Sequence, residues 1–391
     1  MKKVLIISYY TPPLGMSGVM RVTKFAKYLP RFDWQPLILT TKPIAYYHYD
    51  CELLNDLKDI PIFRSNNLDL ARLSYLLKIP RQAIKKSTGK TSMLSNFLFY
   101  PDAKSPWIRF ALKLGCKIIN QQKPDLIFAT SPPFSALMVG IKLKQKFNLP
   151  LVTDFRDPWP TGFVAPPQII RNRIIKLRQQ IINQSDQVTA VNQQTKEQID
   201  CPSAIVIENG YDPSEFNQEP VKLTGFNIVH TGNIWEIFDN LKLVMQAIAE
   251  IPDVRLTLVG NCDKPTLQQI KQYKNVEYLG TCSHQETISI IKGASMLLYL
   301  SKPNQAVGIK LYEYFGAHKP ILAVCDQCNE AMRLIENHQV GLTVSAQIQE
   351  IKPAILSIKN NKLIFSPRGL EKYNRINQTQ QLSGVFNRLV I

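Results

Sequence analysis

The chain has 391 residues, of which 45% are hydrophobic and 20% charged, a composition that excludes a disordered protein and suggests two or three domains of roughly 150 residues. Its formal charge of +17 is one-sided: residues 1–207 hold 29 basic against 13 acidic residues, a net of +16, while residues 208–391 hold 18 against 17. Charge placed this way implies that the N-terminal part meets something anionic, whether a membrane surface, a phosphorylated substrate or nucleic acid.

In chain order, Lys2 and Lys3 lead into a short apolar run that ends at "SYYTPP", which is not the pattern of a secretory leader. Residues 2–8 read as a strand buried on both faces. Residues 18–30 read as a helix with Val19, Val22, Phe25, Ala26 and Leu29 at helical spacing, and 35–41 as the next strand. Residues 43–110 show no sustained period and read as an insertion with short helices, basic over 78–90. Alternation resumes with strand 125–131, helix 134–147, strand 151–155, helix 168–184, strand 187–191, helix 193–199 and strand 204–208. The long uncharged stretch 126–141 is broken by Pro132 and Pro133 and is too short for a membrane span, so a cytoplasmic location is expected.

The turn-forming stretch 209–225 reads as a linker. After it come strand 226–232, helix 239–250, strand 254–260, helix 264–273, strand 275–280, helix 284–293, strand 295–300, helix 309–317, strand 320–324 and helix 327–337. The expected division is 1–208, 209–225, 226–366, and a last helix, 367–391, that returns toward the first domain. Strands alternating with helices predict parallel, doubly wound sheets, so the fold class is α/β with two such domains. The seven scattered cysteines read as reduced thiols, and the close pair Cys325 and Cys328 as core packing rather than zinc ligands.

Ligands of open parallel sheets bind beyond the carboxyl ends of the strands, which directs the reading to four loops. Gly15 and Gly18, followed by Arg21, either make a tight turn or let backbone amides approach an acceptor or a phosphate; their spacing is not the dinucleotide fingerprint G-x-G-x-x-G. Asp154, Arg156 and Asp157 at the end of the strand 151–155 either pair to shape their loop or line a substrate site. Gly232 ends the first strand of the second domain, where the missing side chain lets a phosphate or sugar reach the main chain. A helix starting at Ile309 aims its free N–H groups at the loop before it; Lys310 adds a full charge and Glu313, one turn on, offers two oxygens to a diol. A surface ion pair between Lys310 and Glu313 is the alternative.

Taken together, "PPLGMSGVMR", "VTDFRDPW", "IENGYDPSEF" and "QAVGIKLYEYFGAHKPIL" resemble the retaining glycosyltransferases of the GT-B fold, family 4, in particular the branch of bacterial polysaccharide and lipopolysaccharide assembly, over essentially the whole chain. The resemblance implies two Rossmann-like domains facing across a cleft and a hexosyltransferase-type activity on a nucleotide-diphosphate sugar. The acceptor would be a glycan or lipid-linked molecule. Residue by residue, it makes Glu313 the ribose ligand, puts Gln305 where the family has a glutamate on the donor sugar, and makes Gly308 and Ile309 donor contacts. Asn233 and Asp239 occupy the places of the family's diphosphate-binding Arg and Lys, and Lys310 is the candidate substitute. Arg156 stands where a histidine is frequent, so Lys310, Arg156 and Asp157 are the candidate catalytic residues.

No cofactor or metal is expected, since the sequence has no Asp-x-Asp motif or clustered carboxylates. An anionic membrane surface is the expected partner of the first domain, through its charge and "QIIRNRIIKLRQQII" (168–182). Nucleic acid is disfavoured because no stacking-aromatic motif accompanies the basic residues. The alternatives are a nucleotide-sugar epimerase on the same fold, for which His230 is the one histidine near a loop of interest and reads better as a core residue, and a catalytically degenerate donor-binding subunit.

Overall fold

The computed structural model describes residues 1–15, 17–46, 49–78, 100–159, 168–302 and 307–390. The chain forms two compact units, residues 1–209 with 375–391 and residues 210–374. The first contains β1 (Lys2–Ile7), α1 (Ser17–Tyr28), β2 (Trp34–Thr41), β3 (Ile62–Ser65), α2 (Leu70–Leu76), α3 (Ile108–Gln122), β4 (Leu126–Ser131), α4 (Ser135–Phe147), β5 (Leu151–Phe155), α5 (Gln168–Gln184), β6 (Gln187–Ala190), α6 (Gln193–Gln198) and β7 (Ile205–Val206). Its strands are all parallel, in the order β3-β2-β1-β4-β5-β6-β7. The central strands are apolar along their length because helices cover both faces; Val4 to Ile7 and Leu126 to Ala129 are completely buried.

Two features of this unit depart from the sequence reading. Residues 43–110 are not simply an insertion, because β3 extends the sheet with Ile62 opposite Ile38, and α3, also unexpected, begins at Ile108. An edge strand of four residues that includes Arg64 has no continuous apolar run to betray it. Of the basic stretch 78–90, only Lys78 lies within the described residues.

The second unit contains β8 (Phe226–Thr231), α7 (Phe238–Ala249), β9 (Val254–Val259), α8 (Lys264–Ile270), β10 (Val276–Gly280), α9 (His284–Gly293), β11 (Met296–Leu300), α10 (Ile309–Ala317), β12 (Ile321–Val324), α11 (Glu330–Asn337), β13 (Gly341–Val344) and α12 (Ile348–Lys359). The strands are again parallel, in the order β10-β9-β8-β11-β12-β13. β13 and α12 were not expected: the strand is a half-buried edge, and Pro353 lies inside the helix.

The stretch expected as a linker belongs to this unit from Gly210 onward. Pro213–Asn217 forms a 3-10 turn capped by Asp212, whose side chain accepts from the Ser214 N–H. Val221 N–H donates to Ser289 O at 3.0 Å, and Lys292 donates to Phe216 O at 2.6 Å. Turn composition here marks chain reversal, and side-chain contacts, which the composition does not encode, hold it down.

The last helix, α13 (Arg375–Leu389), belongs to the first unit. Its Leu382, Val385 and Phe386 join the core formed by Val4, Ile6, Phe25, Trp34 and Phe128, with the Phe386 ring 5.2 Å from Trp34 and 5.7 Å from Phe128. Residues 367–374 stay with the second unit, whose core includes Leu370 and Tyr373. Phe386→Ala should therefore cost the first unit about 3–5 kcal/mol, as deletion of a fully buried aromatic ring does. Urea unfolding followed by tryptophan fluorescence measures it, and a change below 1 kcal/mol would show that α13 is not part of that core.

Candidate active site

Both sheets reverse their order of winding, between β1 and β4 in the first and between β8 and β11 in the second. Where winding reverses, neighbouring connections leave in opposite directions and a crevice opens beyond the strand ends. In the second unit the loop after β8 starts with Gly232 and Asn233, and the loop after β11 leads through Gly308 into α10. The strands are paired there through Ile228 with Met296 and Val229 with Leu297, so the two loops emerge side by side.

Gly232 has φ +117° and Gly260 has φ +136°; a Cβ on Gly260 would stand 1.9 Å from the Gly232 carbonyl oxygen. The loops after β8 and β9 therefore touch main chain to main chain, an approach that glycine permits. The amino end of α10 stands beside them. Its cap, Gly308, has no side chain to accept from the first-turn amides, and no acidic residue occupies that turn, so among the described residues no side chain caps the positive end of the helix. Gly308 N–H instead donates to the Tyr299 hydroxyl at 3.2 Å. One turn further, the Tyr314 hydroxyl accepts from Thr231 N–H at 3.0 Å and lies 3.4 Å from Leu298 O, tying α10 to both switch-point strands.

Lys310 is held within this frame. Its Nζ would lie 3.8 Å from a Cβ on Gly232 and sits 5.1 Å from the centre of the Tyr299 ring. Burial pushes its pKa down to about 8, although the charges of Glu236 and Glu313 pull it back up. Glu236 also accepts from the Asn233 side chain at 3.2 Å. Glu313 is half-buried, with Oε1 3.9 Å from His284 Nδ1. Burial raises the pKa values of Tyr299, to about 12, and of Tyr314, so both phenols stay neutral.

His230 is completely buried; its Nδ1 lies 2.8 Å from Leu298 O, and its Nε2 has no hydrogen-bond partner among the described residues. Burial, and then the charge of Lys310, pushes its pKa well below the usual range, against the hydrogen bond to Leu298. It is a neutral core histidine. Ile309 and Gly308 are half-buried at the helix start, whereas Gln305 lies outside the described residues.

At the switch point of the first unit the charges are engaged internally. Arg21 faces inward: it is 1% exposed and forms a two-point ion pair with Asp154, at 2.9 and 3.1 Å, and donates to Glu208 O at 2.9 Å. Thr130 and Thr189 also donate to Asp154, at 2.7 and 2.8 Å. Burial pushes the Asp154 carboxyl up, but the charge and hydrogen bonds of Arg21, with help from Thr130 and the charge of Arg156, hold it below its usual range. One turn into a helix that packs on the sheet, Arg21 faces the strands, which a glycine-based reading of the loop did not capture.

Arg156 donates to Ser131 O at 2.9 Å, to Pro132 O at 2.7 Å and to Gly18 O. It braces the loop after β4 against the start of α1. Asp157, beside it, has its pKa raised by burial against the charge of Arg156. Gly15 is buried, and the space where a Cβ of Gly18 would stand is open.

The second-unit site thus gathers a cation, an uncapped helix start and, one turn on, a carboxylate. These groups suit an anion that carries a neighbouring diol. Sequence reasoning found Gly232, Lys310 and Glu313 but missed Tyr299, Tyr314, Glu236 and His284. A tyrosine in an apolar strand or helix looks like core, and only the register of β11 against α10 shows where its hydroxyl ends.

Two family models match the chain: "Glycosyl transferases group 1" over residues 225–361 and "Glycosyltransferase Family 4" over residues 91–215. No curated protein matches it. Among solved structures, HepE of Anabaena in complex with UDP is similar, with 16% identity and a TM-score of 0.67 over 100% of both chains. Sucrose-phosphate synthase of Thermosynechococcus elongatus is similar at 15% identity and a TM-score of 0.66 over 100% of this chain and 99% of that one. The UDP-GlcNAc 2-epimerase of Methanocaldococcus jannaschii shares 12% identity and a TM-score of 0.59 over 99% of this chain and 100% of that one.

The geometry predicts that the Lys310 ammonium titrates near pH 8. NMR of the reductively 13C-methylated protein, assigned with Lys310→Gln, should show one lysine with that midpoint. In Glu236→Gln or Glu313→Gln the midpoint should fall further, because each carboxylate favours the charged amine. A midpoint close to that of an ordinary lysine would contradict the burial.

Proposed function

This chain belongs to the family 4 glycosyltransferases of the GT-B fold, and from that premise we propose that it moves a sugar, with retention, from a nucleotide-diphosphate donor held by residues 210–374. The acceptor, a glycan or lipid-linked molecule of cell-surface polysaccharide synthesis, is taken by the first unit. One observation carries the donor assignment: the Lys310 ammonium stands against Gly232 at the uncapped start of α10. The donor's diphosphate lies there, and Glu313 takes the ribose hydroxyls. HepE was solved with UDP and with UDP-glucose, which supports a nucleotide sugar as the ligand class.

In this reading the bond between the sugar and the diphosphate breaks while Lys310 and the first-turn amides take up the charge growing on the phosphate. The acceptor hydroxyl attacks from the same face, and its proton passes to the departing diphosphate. Gly232, Asn233, Gly308 and Ile309 shape the donor site, and Gln305 is assigned to the donor sugar on the family resemblance alone. Arg156 and Asp157 belong to the acceptor side, where Arg156 acts first by bracing its loops.

We place the first unit at an anionic membrane surface, at the inner face. Among the described residues no helix is long and apolar enough to cross a membrane. What supports contact with a membrane is a run of exposed leucines on and beside α2, with Leu68 55%, Leu70 60%, Leu76 58% and Leu77 69% exposed, on the unit that carries nearly all the excess positive charge. α5 contributes less than its sequence implies. Ile174, Ile181 and Arg178 are buried, with Arg178 donating to Trp159 O, and the side chains of Ile169 and Ile170 lie outside the described residues.

Glu313→Ala should weaken UDP binding roughly ten- to a hundredfold, the value of a charge-assisted hydrogen bond, and Lys310→Ala should lower turnover more than affinity. Calorimetry with UDP and its 2′,3′-dideoxy analogue is the direct check. If wild type binds both equally, Glu313 does not hold the ribose. Sugar transfer to an added acceptor, against formation of an epimeric donor in its absence, separates a transferase from an epimerase. For the membrane, the full chain should sediment with anionic vesicles and not with neutral ones, and Leu76→Glu with Leu77→Glu should release it; equal sedimentation with both vesicle types would end that assignment.

A further inference from the structure

Glu313 is approached by other ionisable groups of its own unit. His284, the first residue of α9, places Nδ1 3.9 Å from Glu313 Oε1 and Nε2 3.0 Å from Glu215 Oε2. Three elements converge on the ring: α9 itself, α10 with Glu313, and the 3-10 turn Pro213–Asn217 with Glu215. All three side chains are between 12% and 18% exposed, so they are largely withdrawn from water and still reachable by protons.

Other charged groups lie near these three with contacts of their own; the charge of Glu313 acts on Lys310, and the Asp212 carboxylate lies within 4.8 Å of that of Glu215. Glu286, in the first turn of α9, closes a capping box with Ser283, accepting from its N–H at 2.9 Å. Asp212, at the start of the 3-10 turn, accepts from the N–H and the hydroxyl of Ser214. Lys310 precedes Glu313 by one turn and sits over Tyr299. The imidazole thus stands between two carboxylates, and one of them is the group that the donor reading assigns to ribose.

The chemistry of that arrangement depends on one proton. Ionised carboxylates only accept hydrogen bonds, and a neutral imidazole has a single N–H to divide between two such groups. At 3.9 Å the contact with Glu313 is too long for a hydrogen bond. An imidazolium has an N–H for each carboxylate and a charge that attracts both. We infer that His284 is a proton-operated competitor of ribose for Glu313: neutral, it leaves the carboxylate to the nucleotide, and protonated, it draws the carboxylate toward α9 and promotes nucleotide release. His284 acts through Glu313 and is a positioning residue, so the inference rests on the donor reading above.

Calorimetry of the full chain with UDP between pH 8.0 and 5.5 tests it. The terminal phosphate of UDP titrates in this range too, but equally in every variant. Wild type should lose about fivefold more affinity over the range than His284→Gln, because only wild type gains the competing charge. Glu215→Gln, which keeps the imidazole and removes one of the charges that favour its protonated form, should move the inflection to lower pH. With 2′,3′-dideoxy-UDP the difference between wild type and His284→Gln should vanish.

Parallel pH profiles for wild type and His284→Gln would overturn the inference, and so would a difference that persists with the dideoxy nucleotide. Equal binding of UDP and its dideoxy analogue by wild type at pH 8.0 is a separate result. It would remove the ribose assignment of Glu313 and the inference with it.

Discussion

The start of α10 is fixed by two buried phenols, and the rest of the proposed donor site depends on that constraint. The Tyr299 hydroxyl accepts from the Gly308 N–H, and the Tyr314 hydroxyl accepts from the Thr231 N–H at the end of β8, within reach of Leu298 in β11. These contacts hold a helix of nine residues against the two strands that flank the switch point. A helix so short depends on tertiary contacts for its position. Lys310 therefore reaches Gly232 by the geometry of the frame, with the charges of Glu236 and Glu313 acting on it.

The two switch points treat charge differently. In the first unit Arg21 and Asp154 satisfy each other in the interior, with two threonines completing the carboxylate, and Arg156 ties loops together through three carbonyl oxygens. A buried pair of this kind gives up little to a ligand, since separating it would strand a charge away from water. In the second unit burial depresses Lys310, and two half-buried carboxylates hold it only part of the way back. A cation in that condition gains from an arriving phosphate. The contrast is why the donor chemistry is assigned to the second unit, while in the first a brace and a core ion pair set the shape of the loops.

Much of this architecture was legible in the residues alone. Continuous apolar strands such as Val4–Ile7 and Leu297–Leu300 alternate with helices of amphipathic period, a pattern that admits parallel sheets covered on both faces and little else. Edge elements were harder to read: β3 and β13 are half-covered, mix polar with apolar residues and carry no clean period. The stretch after Asn209 shows a related limit, because its turn residues mark where the chain reverses but not what it then packs against.

At the level of the site, the sequence by itself determined which chemical groups stand at which strand ends: a glycine after β8, and a lysine and a glutamate in the first turns of the helix after β11. Those placements follow from chain connectivity and the helical repeat, both local properties. Only the tertiary structure decided which charges are available. Whether Arg21 turns inward to Asp154, whether His284 meets Glu313, and how far burial lowers Lys310 depend on groups that the fold brings together, 133 residues apart for Arg21 and Asp154. Desolvation and Coulomb interaction act through space, so no local pattern of residue types encodes them.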